Sequence, residues 1–302
     1  MRCVALTDDA FHLQSGSNMG LVVRGDEAVL IDTGLDDDSG RRALRIVEDH
    51  GVHLIAIIVT HAHADHFGGA HFLQRRLNLP IYAPDTEAAM MEHPIIEPLY
   101  LFGGAAPISE LRHKFTLAQP CTVEQTVGPG PLRIGRFELS IVPLPGHALN
   151  QVGVGMKSGG QRILFCGDAI FPTATMEKHK VLFCVDLDRA LESIGRLSGL
   201  PYDQFAPGHG PAYAAGSDIE AICTANRQRL EEIRDVVYDD LASPQETSSL
   251  VQHLGDHFGL HISGATAYYL TRTTVLAALS AQEASGSVRV FTQANKAVWE
   301  RT

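Results

Sequence analysis

The stretch from Val59 to Gly69, VTHAHADHFGG, sets His61, His63, Asp65 and His66 within six positions. Imidazole nitrogen and carboxylate oxygen suit zinc at about 2.0–2.2 Å. His61 and His63 stand two residues apart, and beyond a strand end this spacing lets both side chains point the same way. Asp65 and His66 follow at the turn into an expected helix, so they can point back into the same cavity. Four ligands this close cannot easily share one tetrahedral ion and leave a position open, so two ions are expected. Two divalent ions about 3.5–4 Å apart can hold one water between them and lower its pKa. Hydrolysis then needs no protein nucleophile, and the chain shows neither a G-x-S-x-G elbow nor a P-loop.

Further ligands must arrive from distant strand ends. PLPGHALN offers His147 just after an expected strand over 137–142. ILFCGD offers Asp168 just after an expected strand over 162–166, and FAPGHGP offers His209 between two glycines. Each lies where a loop leaves a rigid frame. His71, His93, His113 and His179 lack such support and read as surface or pocket residues. His50, His53, His253, His257 and His261 are given no role, and Cys166 reads as a buried small residue.

The elements that must position these residues follow from apolar patterning. Residues 21–23 and 28–31 flank RGDE as a hairpin. Residues 39–50 have helical spacing and stop at Gly51. The continuous apolar run 54–59 reads as a strand buried on both faces. Residues 66–77 read as one helix and 81–83 as a short strand. The segment 86–126 lacks periodicity and carries Pro94, Pro98, Pro107, Pro120 and the pair Gly103–Gly104. It is expected to form a lid or pocket wall, or else an oligomer contact or packed insertion. Helices are expected over 188–200, 219–241, 250–258 and 267–283, with a terminal hairpin over 288–291 and 297–299. The division expected is residues 1–215 as a catalytic domain and residues 216–302 as a mainly helical unit.

The ordered set HAHADH, GH, GD and GHG, with LIDTGL at 30–35, resembles the metallo-β-lactamase-fold hydrolase superfamily. The likeness spans residues ~17–211 and is closest to a glyoxalase II-like core. It implies an α/β fold, a four-layer αββα sandwich with metals at one edge of two sheets. Carried over, His61, His63 and His147 would hold the first ion. Asp65, His66 and His209 would hold the second, and Asp168 would bridge. Asp168 and Asp65 would orient the bridging hydroxide and take its proton, which makes them the catalytic pair. Asp32 resembles the family's buried aspartate beneath the metal loops. Two zinc ions are expected, with iron or manganese as alternatives. Flavodiiron members carry a glutamate where this chain has His63, which disfavours oxygen reduction. Iron-dependent persulfide dioxygenases keep a similar histidine pattern.

The 302 residues bear a net charge of -11, with 45% hydrophobic and 20% charged residues. That balance suits a soluble globular protein and disfavours a nucleic-acid partner, whose phosphates need Lys and Arg. No apolar run approaches the ~20 residues of a membrane span. The N-terminus lacks the basic start and apolar core of a secretory signal. Five widely spaced cysteines suit a reducing compartment, so a cytoplasmic protein is expected. Residues ~250–302 resemble a winged-helix-like module found after the catalytic domain in a group that includes an endoribonuclease. From Ala212 onward there are seven Lys/Arg against eleven Asp/Glu, so no basic patch is evident. The module reads as a structural cap or a homodimer element. The function expected is a binuclear zinc hydrolase acting on a small-molecule acyl substrate: thioester, lactone or ester. Phosphodiester or RNA hydrolysis is the alternative. Persulfide dioxygenation and a non-catalytic binding role rank below it.

Overall fold

The computed structural model describes all 302 residues. A seven-stranded sheet runs in the order of the chain: β1 (Arg2–Ala5), β2 (Ala10–Gln14), β3 (Met19–Arg24), β4 (Glu27–Ile31), β5 (His53–Ile58), β6 (Ile81–Pro84) and β7 (Gln125–Val127). It is antiparallel as far as β4 and parallel from β4 onward. The second sheet holds β8 (Gly130–Ile134), β9 (Phe137–Pro143), β10 (Val152–Ser158), β11 (Gln161–Gly167), β12 (Gln204–Pro207) and β13 (Tyr213–Ala214). Its one parallel pair is β11 with β12. β14 (Val288–Gln293) and β15 (Lys296–Arg301) form a separate terminal hairpin.

Ten helices cover the sheets. They are α1 (Asp37–Asp49), α2 (Ala64–Phe67), α3 (Ala70–Leu77), α4 (Asp85–Glu92), α5 (Ile96–Leu101), α6 (Thr173–His179), α7 (Leu187–Leu197), α8 (Ser217–Asp239), α9 (Thr247–His257) and α10 (Ala265–Ala284). None is long and apolar enough to cross a membrane.

Three apolar cores separate four layers. One, with Val29, Ile58, Ile141 and Phe165, lies between the sheets. A second, with Ala43, Val47, Ile57 and Leu73, joins the first sheet to α1 and α3. The third runs from Leu164 and Cys166 through α7 into α8, α9 and α10. Strand alternation explains this directly. Ala56 and Ile58 face the opposite sheet while Ile57 and Val59 face the helices, so the 54–59 run has no polar face. α1 starts because the Asp36 carboxylate accepts the Ser39 amide at 3.1 Å and Asp37 and Asp38 favour the N-terminal dipole.

The expected single helix over 66–77 is two helices broken at Gly68–Gly69. A Cβ at Gly68 would lie 1.9 Å from the Leu35 carbonyl oxygen, so only glycine allows the chain to pass there. This approach lets the Thr33 amide donate to the His66 carbonyl at 2.6 Å. The aperiodic 86–126 segment contains α4, α5 and a short 3-10 turn over Ser109–Leu111, and its end adds β7 to the first sheet. Its far side is fastened to α10. His113 Nε2 lies 2.9 Å from the Thr266 hydroxyl, the Ala265 amide donates to Glu110 at 3.2 Å, and the Phe102 and Tyr269 rings meet edge to face.

Candidate metal centre

β4, β5, β9, β11 and β12 all end at one edge of the two sheets, and the loops that leave them carry the polar side chains. His61 and His63 follow β5, His147 follows β9, Asp168 follows β11 and His209 follows β12. Asp65 and His66 lie on α2. All seven residues singled out from the sequence therefore meet in one place. The donor atoms of His61, His63 and His147 lie within 4.8 Å of one another, as do those of Asp65, His66 and His209. Asp168 stands between the sets. Its Oδ1 is 3.3 Å from His66 Nε2, and its Oδ2 is 3.5 Å from His147 Nε2 and 3.3 Å from His209 Nε2.

Four of the five imidazoles are oriented by their outer nitrogens. His66 Nδ1 donates to Asp32 at 2.9 Å, His147 Nδ1 to the Phe183 carbonyl at 3.0 Å, and His209 Nδ1 to the Gly16 carbonyl at 2.8 Å. The Thr60 hydroxyl donates to Asp32 at 2.9 Å, so it must accept from His61 Nδ1 at 3.0 Å. With those protons placed outward, the Nε2 atoms of all four rings face the centre. His63 presents Nδ1 instead, 2.9 Å from His147 Nε2. Ser17 donates to Asp65 at 2.7 Å, and the Asp168 amide donates to Gln151 at 3.3 Å.

The electrostatics divide the site in two. Burial holds His61 well below its ordinary range, reinforced by His66 and His63. Burial and the neighbouring His147 bring His63 down to about 3. Burial also lowers His147. These three rings are neutral donors. Burial opposes ionisation of Asp168, but His209 and His66 outweigh it and hold its carboxyl well below the usual range. Conversely, burial pulls His66 down while Asp168, Asp65 and Asp32 lift it well above. Carboxylates in this half thus demand positive charge beside them.

These residues fit divalent ions. His61 Nε2, His66 Nε2 and Asp168 Oδ1 are buried without a hydrogen-bond partner, an arrangement that costs stability unless something central satisfies them. Gly208 leaves the room: a Cβ there would lie 2.1 Å from Asp168 Oδ1 and 2.6 Å from His66 Cε1. A cavity of about 900 Å³ opens onto the centre.

Of the other histidines, His179 and His261 line this cavity. His71 bonds the Pro120 carbonyl and His113 fastens the 86–126 segment to α10. Sequence reasoning missed Ser17, Thr60, Gln151 and Glu87. Glu87 accepts the amides of Ala62 at 2.8 Å and Asn150 at 2.9 Å and so ties the loops of His61 and His147 together. The available signal was an acidic residue within an apolar stretch, EAAMMEHPIIE.

Comparison with known proteins agrees with this geometry. The family model described as the metallo-beta-lactamase superfamily matches residues 13–209. The probable metallo-hydrolase YflN of Bacillus subtilis (strain 168) is 27% identical over 225 residues, covering 68% of this chain and 83% of that protein. The hydroxyacylglutathione hydrolase of Xylella fastidiosa (strain 9a5c) is 30% identical over 185 residues, covering 60% of this chain and 54% of its own length. The chain thus spans about half the length of that relative. A metallo-beta-lactamase family protein from Thermus thermophilus shares the fold at a TM-score of 0.75 and 19% identity, with 99% of this chain and 100% of that one covered.

Proposed function

The chain belongs to the metallo-beta-lactamase superfamily, and from that premise we propose that it is a binuclear zinc hydrolase of acyl substrates, a thioester, lactone or ester. The observation that carries this reading is the Asp168 carboxylate, which stands between the two sets: its Oδ1 faces His66 of one set, and its Oδ2 faces both His209 of that set and His147 of the other. A nitrogen-only trio beside a mixed nitrogen and oxygen set suits zinc better than magnesium or calcium, which prefer oxygen. His61, His63 and His147 would hold one ion, Asp65, His66 and His209 the other, and Asp168 would bridge. When bound, such a pair supplies hydroxide near neutral pH and polarises the substrate oxygen.

The chain's own residues do the rest. The outward protons of His66, His147 and His209 fix the ring orientations and aim the inner nitrogens at the centre, where an ion would take the place of a proton. Ser17 donates to Asp65 Oδ2 and sets the angle of that carboxylate, leaving Asp65 as the acceptor for the proton that attack releases. Phe171, Phe183, Leu182, Ile262 and Leu270 supply apolar cavity wall, on which an acyl arm would lie away from water. Ile262 and Leu270 come from the C-terminal unit, residues 216–302. We read that unit as a cap bordering the site of the catalytic domain, residues 1–215. The chain carries -11 net charge, which disfavours a polynucleotide partner.

The test is direct. The pure protein, loaded with zinc, is assayed against thioesters, lactones, a chromogenic phosphodiester and single-stranded RNA. Acyl hydrolysis is expected. RNA cleavage without acyl hydrolysis would reverse the assignment.

A further inference from the structure

Two glutamates of the 86–126 segment are buried close to the centre, and they differ in one respect. Glu87, 1% exposed, spends both oxygens on backbone amides. Glu97, 6% exposed, lies on α5 and lines the cavity beside His63 and Asp65. Its carboxyl has no hydrogen-bond or ion-pair partner, and the charged neighbours that act on it are Asp65 and Glu87, both acidic. Two cations that line the same cavity are engaged elsewhere: Lys114 pairs with Asp36 at 3.2 Å, and Arg42 bonds the Asp38 carbonyl and the Ser39 hydroxyl. A purely structural position of this kind would be filled better by leucine or methionine, because an unpaired buried polar group is costly.

Glu97 is also held in place. Pro98 and Leu101 of the same helix are buried, and Phe102 at its end packs against Tyr269 of α10. A carboxyl, ionised or protonated, always keeps an acceptor oxygen. What it lacks is a donor, and the open side of its surroundings is the cavity where an acyl arm would lie.

We propose that Glu97 is a specificity residue that accepts a hydrogen bond from a hydroxyl or amino substituent on the acyl arm of the substrate. This rests on the reading of the site as an acyl hydrolase. A site built to bond such a group discriminates against the analogue that lacks it, because the protein group is then left unpaired.

The experiment uses the zinc-loaded full chain and matched thioesters of one thiol. Their acyl arms have the same length and bear a hydroxyl, an amino group or neither. The wild type should favour the substituted arms by about tenfold or more in kcat/KM. Glu97→Leu should bring that preference below about twofold, with bound zinc unchanged. Glu97→Gln, which retains a carbonyl acceptor, should keep the preference for the hydroxyl. Inhibition constants or direct binding of the hydroxy acid and the plain acid to the wild type give a second reading that needs neither turnover nor a variant that folds. Equal affinity for the two acids, or a preference that survives in Glu97→Leu, would overturn the proposal. Absence of any thioester turnover would overturn the hydrolase reading instead, and the acid-binding comparison would still decide the role of Glu97.

Discussion

Asp32 shows how much a residue outside the donor set contributes. Its φ of 60° is a left-handed backbone that favours glycine, asparagine and aspartate. From there it accepts the Thr60 amide, the Thr60 hydroxyl and His66 Nδ1. Asp32→Ala leaves three buried donors without an acceptor and keeps the strained φ. Chemical denaturation should show a loss of about 2–4 kcal/mol, with weaker metal retention. Asp32→Asn keeps the backbone preference and an acceptor, and should cost less. His12 allows a pH prediction. It is 1% exposed, bonds the Pro207 carbonyl, and burial brings its pKa down to about 4. The unfolded chain binds that proton below about pH 6.5, before the folded chain does. Its contribution is therefore fully present above pH 6.5 and is lost as pH falls toward 4, by about 3 kcal/mol. His12→Asn in metal-free protein should flatten the stability-pH curve over that window; an unchanged slope would contradict this. That these seven side chains meet was legible in the sequence because their types and spacing have few other uses. Ser17, Glu87 and Gln151 were not, since an ordinary polar residue gains meaning only from partners distant in the chain.

At the scale of elements, the chain's breaks matter as much as its helices. Gly68 allows α2 to end against the Leu35 carbonyl, and this stop sets Asp65 and His66 toward the centre. Gly68→Ala should displace that turn, lowering thermal stability and bound metal together. If both match the wild type, the close approach is not what positions α2. The fastening between the 86–126 segment and α10 belongs to a different function. His113→Ala should leave bound metal unchanged and raise KM, because His113 meets Thr266 and touches none of the donors. Loss of an ion there would mean that the donor set is wrongly drawn. The buried strands β5 and β11 were readable because they are apolar on both faces. α5 was not, because Pro98 and the other prolines of the 86–126 segment concealed any helical periodicity. Pro98 sits in the first turn, where its missing N–H costs nothing, and so it begins the helix rather than breaking it. The unbroken periodicity of 66–77 concealed the Gly68–Gly69 stop, since close backbone approach leaves no trace in hydropathy.

Across the whole molecule, two sheets bring residues separated by up to 148 positions, from His61 to His209, to one edge. The third apolar core continues from the second sheet into α10, so the helical end that walls the cavity is packed onto the same frame as the donors. The four-layer arrangement was legible through the resemblance of the motifs. The roof over the cavity was not, because the contacts of Glu110, His113 and Phe102 with α10 join segments more than 150 residues apart. Everything proposed for this site turns on whether Asp168 joins two ions into one hydrolytic centre. Metal-stripped protein should be titrated with zinc while bound metal and thioester hydrolysis are read on the same samples. Activity should level off at two zinc ions per chain, and Asp168→Ala should retain fewer than two and turn over no substrate. Full activity at one ion per chain, or wild-type turnover in Asp168→Ala, would contradict it.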